Sequence, residues 1–161
     1  MGITQDLLHQ SHRLAIHGGL HSTQADYRRA VSAAYYAIFH LIGEECGQRW
    51  LGASPEAETA VQRALDHVAV RNVSGQFKNV WRSWSGANIA VPPPLERFAS
   101  TVTNLQIERH SADYDNSRNW TEGEVLDRIN SAEYAVHDWL SVREEPIAGD
   151  YLLAILLGKR R

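Results

Sequence analysis

The fourteen residues IERHSADYDNSRNW (107–120) hold two arginines, a histidine, two aspartates and a tyrosine. That mixture can bind an anion, move a proton or tie off a helix end. Arg109 is the informative member. Leu95, Phe98, Val102 and Leu105 step by three, four and three, and the same stripe runs on through Arg109 to Ala112. A guanidinium on an inward-facing stripe needs an acceptor, water or a ligand, because an unpaired buried charge is strongly unfavourable. Asp113, one turn further on, is one acceptor within reach. A phosphate is another, and the planar fork of arginine suits its oxygens. Spacing alone leaves two readings open: a structural Arg–Asp pair that locks the helix end, or a phosphate-binding arginine.

Other residues could join it. Tyr36 and His40 are one turn apart and share a helix face, either as the floor of a pocket or as core residues bonded to a neighbouring helix. Arg118, Asn119 and Trp120, taken with Lys78, Trp81, Arg82 and Trp84, suit single-stranded nucleic acid through phosphate pairing and base stacking. The alternative is that the tryptophans cap the core and the arginines are solvated. His9, His12, His17 and His21 cluster, but Gly18-Gly19 interrupts the helix that would align them, and no Cys or acidic partner stands at ligand spacing. No metal and no cofactor is expected. The chain has no Gly-rich phosphate loop and no nucleophile elbow.

The elements that position these residues read as helices, with no convincing strand, so the fold class is all-α. A short first helix covers 4–17 and stops at Gly18-Gly19. A second runs over 23–48, with Thr23 as its cap and Asp26 in its first turn. Its two apolar stripes, Tyr27-Val31-Ala34-Ile38-Leu41 and Tyr35-Phe39-Ile42-Cys46, predict a central helix buried on more than one side. Ser54-Pro55-Glu56 opens a third helix, expected to reach about residue 70. In 71–92, GQFKNVWRSW reads as a short helix and SGANIAVPPP as loop. The fourth helix starts at the prolines and runs to about 114. The fifth starts at the capping box Thr121-Glu122-Gly123-Glu124 and carries Val125, Ile129, Ala132, Val136 and Trp139. A last helix covers 147–158, followed by Lys159-Arg160-Arg161.

The 161 residues suit one domain, and 43% apolar content can supply a continuous core. A net charge of −3 gives no global basic field, so any nucleic-acid binding must come from a local patch. The single Cys46 fits a reducing compartment. The polar start MGITQDLLHQ lacks a secretory signal, and YLLAILL at 151–157 is too short to cross a bilayer. A cytoplasmic protein with no membrane association is expected.

Two stretches taken together resemble one family. RRAVSAAYYAIFHLI (28–42), with A-Y-Y-A-x-F-H at Ala34 to His40, and ERHSADYD (108–115), with R-x-x-A-D-Y at Arg109 to Tyr114, are similar to the prokaryotic branch of the HEPN (higher eukaryotes and prokaryotes nucleotide-binding) superfamily. Thr121 to Leu140 is similar to the helix that follows in that family. ALDHVAVRNVSGQF (64–77) weakly resembles its His-then-Phe segment. The resemblance spans roughly residues 25–142. It implies an antiparallel four- to five-helix bundle that dimerises; with the helices read above, the bundle is expected over 23–142, between a short helix and Gly-rich turn at 1–22 and an apolar helix at 143–161. It implies a pocket at the dimer cleft, where the polar end of the fourth helix meets its symmetry mate. Many members are metal-independent ribonucleases, often toxins partnered with a small nucleotidyltransferase. Others act in CRISPR or phage defence, and some only bind nucleotides or RNA.

The ribonuclease members place a histidine after the arginine and a spacer of four to six residues. Here Tyr114 stands at that distance from Arg109, and His110 is adjacent to it. A tyrosine, with a pKa of about 10, is a poor base at neutral pH. The resemblance therefore implies an RNA- or nucleotide-binding protein of a toxin–antitoxin or defence pair, with weak or no nuclease activity. Its phosphate site would be Arg109 with His110, Asp113, Arg118, Asn119, Tyr36 and His40, and Tyr114 would take any catalytic part beside Arg109. Two alternatives stand beside it. One is a metal-independent endoribonuclease in which Tyr114, His110 or His40 replaces the usual histidine. The other is a structural interaction module in which Arg109 only ties Asp113 and the 147–161 tail docks a partner.

Overall fold

The computed structural model describes residues 2–16, 21–52 and 54–158. His17, Gly18-Gly19 and Lys159-Arg160-Arg161 lie outside the described residues. Among the described residues the fold is all-α, with seven helices: α1 (Gly2–Ala15), α2 (Gln24–Leu51), α3 (Pro55–Ala64), α4 (His67–Ser85), α5 (Pro93–Tyr114), α6 (Glu122–Val142) and α7 (Pro146–Leu157). None of them is long and apolar enough to cross a membrane.

α2 is the axis of the bundle and packs against α1, α3, α5, α6 and α7. Its two apolar stripes explain this: Val31, Ala34, Tyr35, Ile38, Leu41 and Cys46 are all fully buried. Side-chain pairs give the directions. Thr4 and Ser11 of α1 donate to the carbonyls of Ala37 and Ala30, so α1 runs antiparallel to α2. Arg97–Asp138 and Arg128–Glu108 do the same for α5 and α6. Lys78–Glu96 at one end and Gln106–His67 at the other set α4 antiparallel to α5.

The helix starts follow from local chemistry. Thr23 with Asp26 and Thr121 with Glu124 form reciprocal capping boxes. The Ser54 hydroxyl accepts from the Ala57 amide ahead of Pro55. α7 docks on α4 and α2, burying Ala148, Tyr151, Leu152, Ala154 and Ile155. Its Tyr151 hydroxyl lies 2.6 Å from Ser74 Oγ, which satisfies both buried groups.

Two expectations are corrected. The third helix does not continue to residue 70. Leu65 is extended (φ −65°, ψ 134°), and Asp66 caps a new helix by accepting from the Ala69 amide at 2.9 Å. The segment expected as a separate short helix within 71–92 is the continuation of α4, which is kinked at Gln76 (φ −138°, ψ 25°) and ends at Gly86 in the left-handed region. The break at Leu65 delivers His67 into the bundle.

Candidate functional site

Arg109 lies on the buried stripe of α5. Leu105 and Ala112 on its stripe are each 1% exposed, and the Arg109 side chain retains 17%. Its Nη2 donates to the Tyr36 hydroxyl at 3.0 Å. Its Nε lies 2.7 Å from Asp113 Oδ2, but the N–H is not aimed at that oxygen, so this contact is ionic without a hydrogen bond. The guanidinium carbon sits 5.4 Å from the Tyr36 ring centre and 5.9 Å from that of Tyr35, within cation–π range. Asp113 is held in turn by Ser32, whose hydroxyl donates to Oδ1 at 2.5 Å. Among the described residues no protein acceptor engages Nη1 of Arg109.

Three of the residues around this arginine are not among the expected site residues. Ser32 is one. Tyr35 and His67 are the others, paired at 2.8 Å between Oη and Nδ1. The His67 ring stacks on Phe39 with centres 4.1 Å apart and lies edge-on to Tyr36 at 5.8 Å. Gln106, one turn before Arg109, donates to the His67 carbonyl at 2.7 Å and fixes the start of α4 beside α5. Partial burial, then the positive charge of Arg109, hold His67 below the ordinary imidazole value, with Asp66 opposing. Burial likewise raises the Tyr35 hydroxyl well above the ordinary tyrosine value, against the pull of Arg109. Tyr35 is therefore a neutral hydroxyl at any physiological pH.

The other expected site residues stand apart from this cluster. His40 borders a surface concavity of 550 Å³ with Phe39, Glu44, Glu58 and Gln62, and Arg109 does not line it. Burial lowers the His40 pKa, with Glu44 opposing. Tyr114 is 66% exposed and packs on His110, also exposed, with ring centres 4.9 Å apart. Asn119 is exposed. Arg118 pairs with Glu108 at 2.8 Å and lies 3.7 Å over the Trp120 ring, so its charge is already engaged. Trp120 is buried, while Lys78, bridged to Glu96, marks the opposite end of α5. The basic and aromatic residues of α4 are thus a helix length away from Arg118 and Trp120.

The end of α5 is tied to the start of α2 by two polar residues with no local sequence signal. Arg28 donates to the carbonyls of Ala112, Asp115 and Arg118 at 2.7–2.9 Å, satisfying acceptors that a helix end leaves open. The Gln24 amide clamps the Trp120 backbone from both sides, at 2.7 and 2.8 Å. Among the described residues no three His, Cys, Asp or Glu side chains converge as a metal would require.

Chemically, the cluster offers a partly screened guanidinium, a tyrosine hydroxyl whose proton is free to be donated, and a neutral imidazole. Such groups can hold an anion, and the Asp113 carboxylate beside the guanidinium opposes it. Comparison with known protein families, curated proteins and solved structures finds no match to this chain.

Proposed function

We propose that the chain is a HEPN-like helical dimer that binds RNA or a nucleotide through phosphate, with weak or no nuclease activity. Arg109 is its anion-binding residue. The observation that carries this reading is a guanidinium at 17% exposure whose Nη1 has no protein acceptor among the described residues. A phosphate oxygen can accept from Nη1 while a second accepts the Tyr36 hydroxyl proton, because Tyr36 oxygen is itself the acceptor of the Arg109 bond. Asp113 lies beside the same cation as an internal competitor for it. The resemblance of 28–42 and 108–115 to the HEPN superfamily supports the same reading. It further suggests a place in a toxin–antitoxin or defence pair with a nucleotidyltransferase-type partner.

A second reading is favoured by one contact chain, Ser32 to Asp113 to Arg109, which is what a purely structural tie between α2 and α5 would use. Labelled RNA incubated with the protein and EDTA, beside Arg109→Ala, separates the possibilities. Salt-sensitive binding without cleavage, lost in the variant, is the expected result. Cleavage that disappears with Arg109 would assign a metal-independent ribonuclease. Neither binding nor cleavage, with a variant that is merely less stable, would leave the structural tie. Sedimentation of the free protein tests the dimer.

A further inference from the structure

The break between α3 and α4 places a histidine where the motif spacing provides none. His67 and Arg109 approach the same two aromatic rings: the imidazole centre lies 5.6 and 5.8 Å from Tyr35 and Tyr36, and the guanidinium carbon lies 5.9 and 5.4 Å from them. Nδ1 of His67 is taken by Tyr35, whereas Nε2 has no partner among the described residues. Two buried polar atoms without hydrogen bonds lie close by. One is Arg109 Nε. The other is Oε1 of Gln106, whose amide nitrogen grips the His67 carbonyl. Arg109 Nε has only its ionic contact with Asp113, and the Gln106 oxygen has no hydrogen bond, so polar capacity is left over beside His67.

We propose that His67 is the second anion contact of the Arg109 site, taking a proton from solvent as a phosphodiester binds, so that affinity rises as pH falls. This rests on the reading of Arg109 as a phosphate ligand. The groups facing His67 are Tyr35 and Tyr36 from α2, Arg109 from α5 and Asp66 at its own helix start. In the free protein partial burial, then the cation of Arg109, disfavour protonation of the ring. A bound phosphodiester neutralises Arg109, adds its own negative charge beside the ring and reverses the balance. The Tyr35 hydroxyl, neutral throughout, accepts from Nδ1–H of the protonated ring and leaves Nε2–H for the ligand.

A short oligouridylate is the probe, because neither its phosphodiesters nor its bases change charge between about pH 5.5 and 7.5. Binding about tenfold tighter at the lower pH is expected, together with a His67 ring resonance whose titration midpoint moves up by about one unit on saturation. His67→Gln should lose the low-pH gain, binding at both pH values no tighter than the unmodified protein does at about pH 7.5, while what binding remains still depends on Arg109. The resonance measurement needs only the unmodified protein, so it stands even where the variant folds poorly. Arg109-dependent binding with equal affinity at both pH values, and an unmoved midpoint, overturns the role of His67 and leaves the anion site standing. No binding at either pH overturns the reading of Arg109, and this role with it.

Discussion

Tyr35 and His67 share a hydrogen bond of 2.8 Å that joins the centre of α2 to the first residue of α4. Tyr35 is fully buried, so its hydroxyl has no water to replace the imidazole. Tyr35→Phe removes that hydroxyl and leaves Nδ1 short of a partner in a half-buried place. The expected cost is about 1–2 kcal/mol in urea denaturation. An unchanged midpoint would show that the pair contributes nothing to stability.

The same histidine sets a pH dependence of stability. Folding lowers the pKa of His67 and of His40, by burial in both cases and by Arg109 at His67. The unfolded chain therefore binds more protons as pH drops through the ordinary imidazole range of about 6.5. Stability should be fully present above that value and decline as pH falls towards the folded-state values. Urea melts at about pH 7.5 and 5.5 measure the decline, and His67→Gln should flatten part of it. A protein equally stable at both pH values contradicts the lowered values.

Asp113→Asn separates two roles by sign. Removing the carboxylate charge weakens the ionic contact with Arg109 and should cost about 1 kcal/mol, since both side chains keep some solvent contact. It also removes the internal competitor for the guanidinium. Oligonucleotide affinity should therefore rise several-fold while thermal stability falls. A fall in both would mean that Asp113 holds Arg109 in its binding pose.

Arg28→Ala withdraws one guanidinium from the three carbonyls that close α5. Hydrogen bonds from a charged donor are the stronger kind, and the carbonyls are left to solvent. A loss of roughly 2 kcal/mol is expected. Hydrogen exchange should quicken over 109–114 and leave α6 unchanged. Uniform exchange along α5 would argue against a local tie.

Asp66→Ala deletes the cap of α4 and should cost about 1 kcal/mol. Because that cap fixes the residue that presents the imidazole, oligonucleotide affinity should weaken as well. Stability lost with affinity intact would separate the start of α4 from the site.

Much of this architecture is legible in the residues, and the reasons are local. The stripes of α2, α5 and α6 obey helical spacing, so the buried faces follow from periodicity, as does the inward aim of Arg109. Thr23, Ser54 and Thr121 carry cap chemistry that acts within one turn. The Leu65 break is hidden because ALDHVAV keeps apolar residues at helical spacing across it, and only the cap at Asp66 marks a restart. The restart is what aims His67 at the cluster, so its place beside Arg109 is not legible from spacing. Ser32, Gln24 and Arg28 act on residues 81 to 96 positions away, and such partners leave no trace in a local window.

Along α2, Ser32 meets Asp113 and Tyr36 meets Arg109, two rungs at matched four-residue steps on helices that run in opposite directions. α2 also carries buried alanines at 30, 33, 34 and 37. Small side chains let helices approach but offer shallow ridges, so packing alone sets their distance better than their alignment. The polar rungs act as index marks that fix the sliding position of one helix on the other. Replacing all four with apolar residues of similar size would leave two helices that still adhere but no longer agree on where to stop.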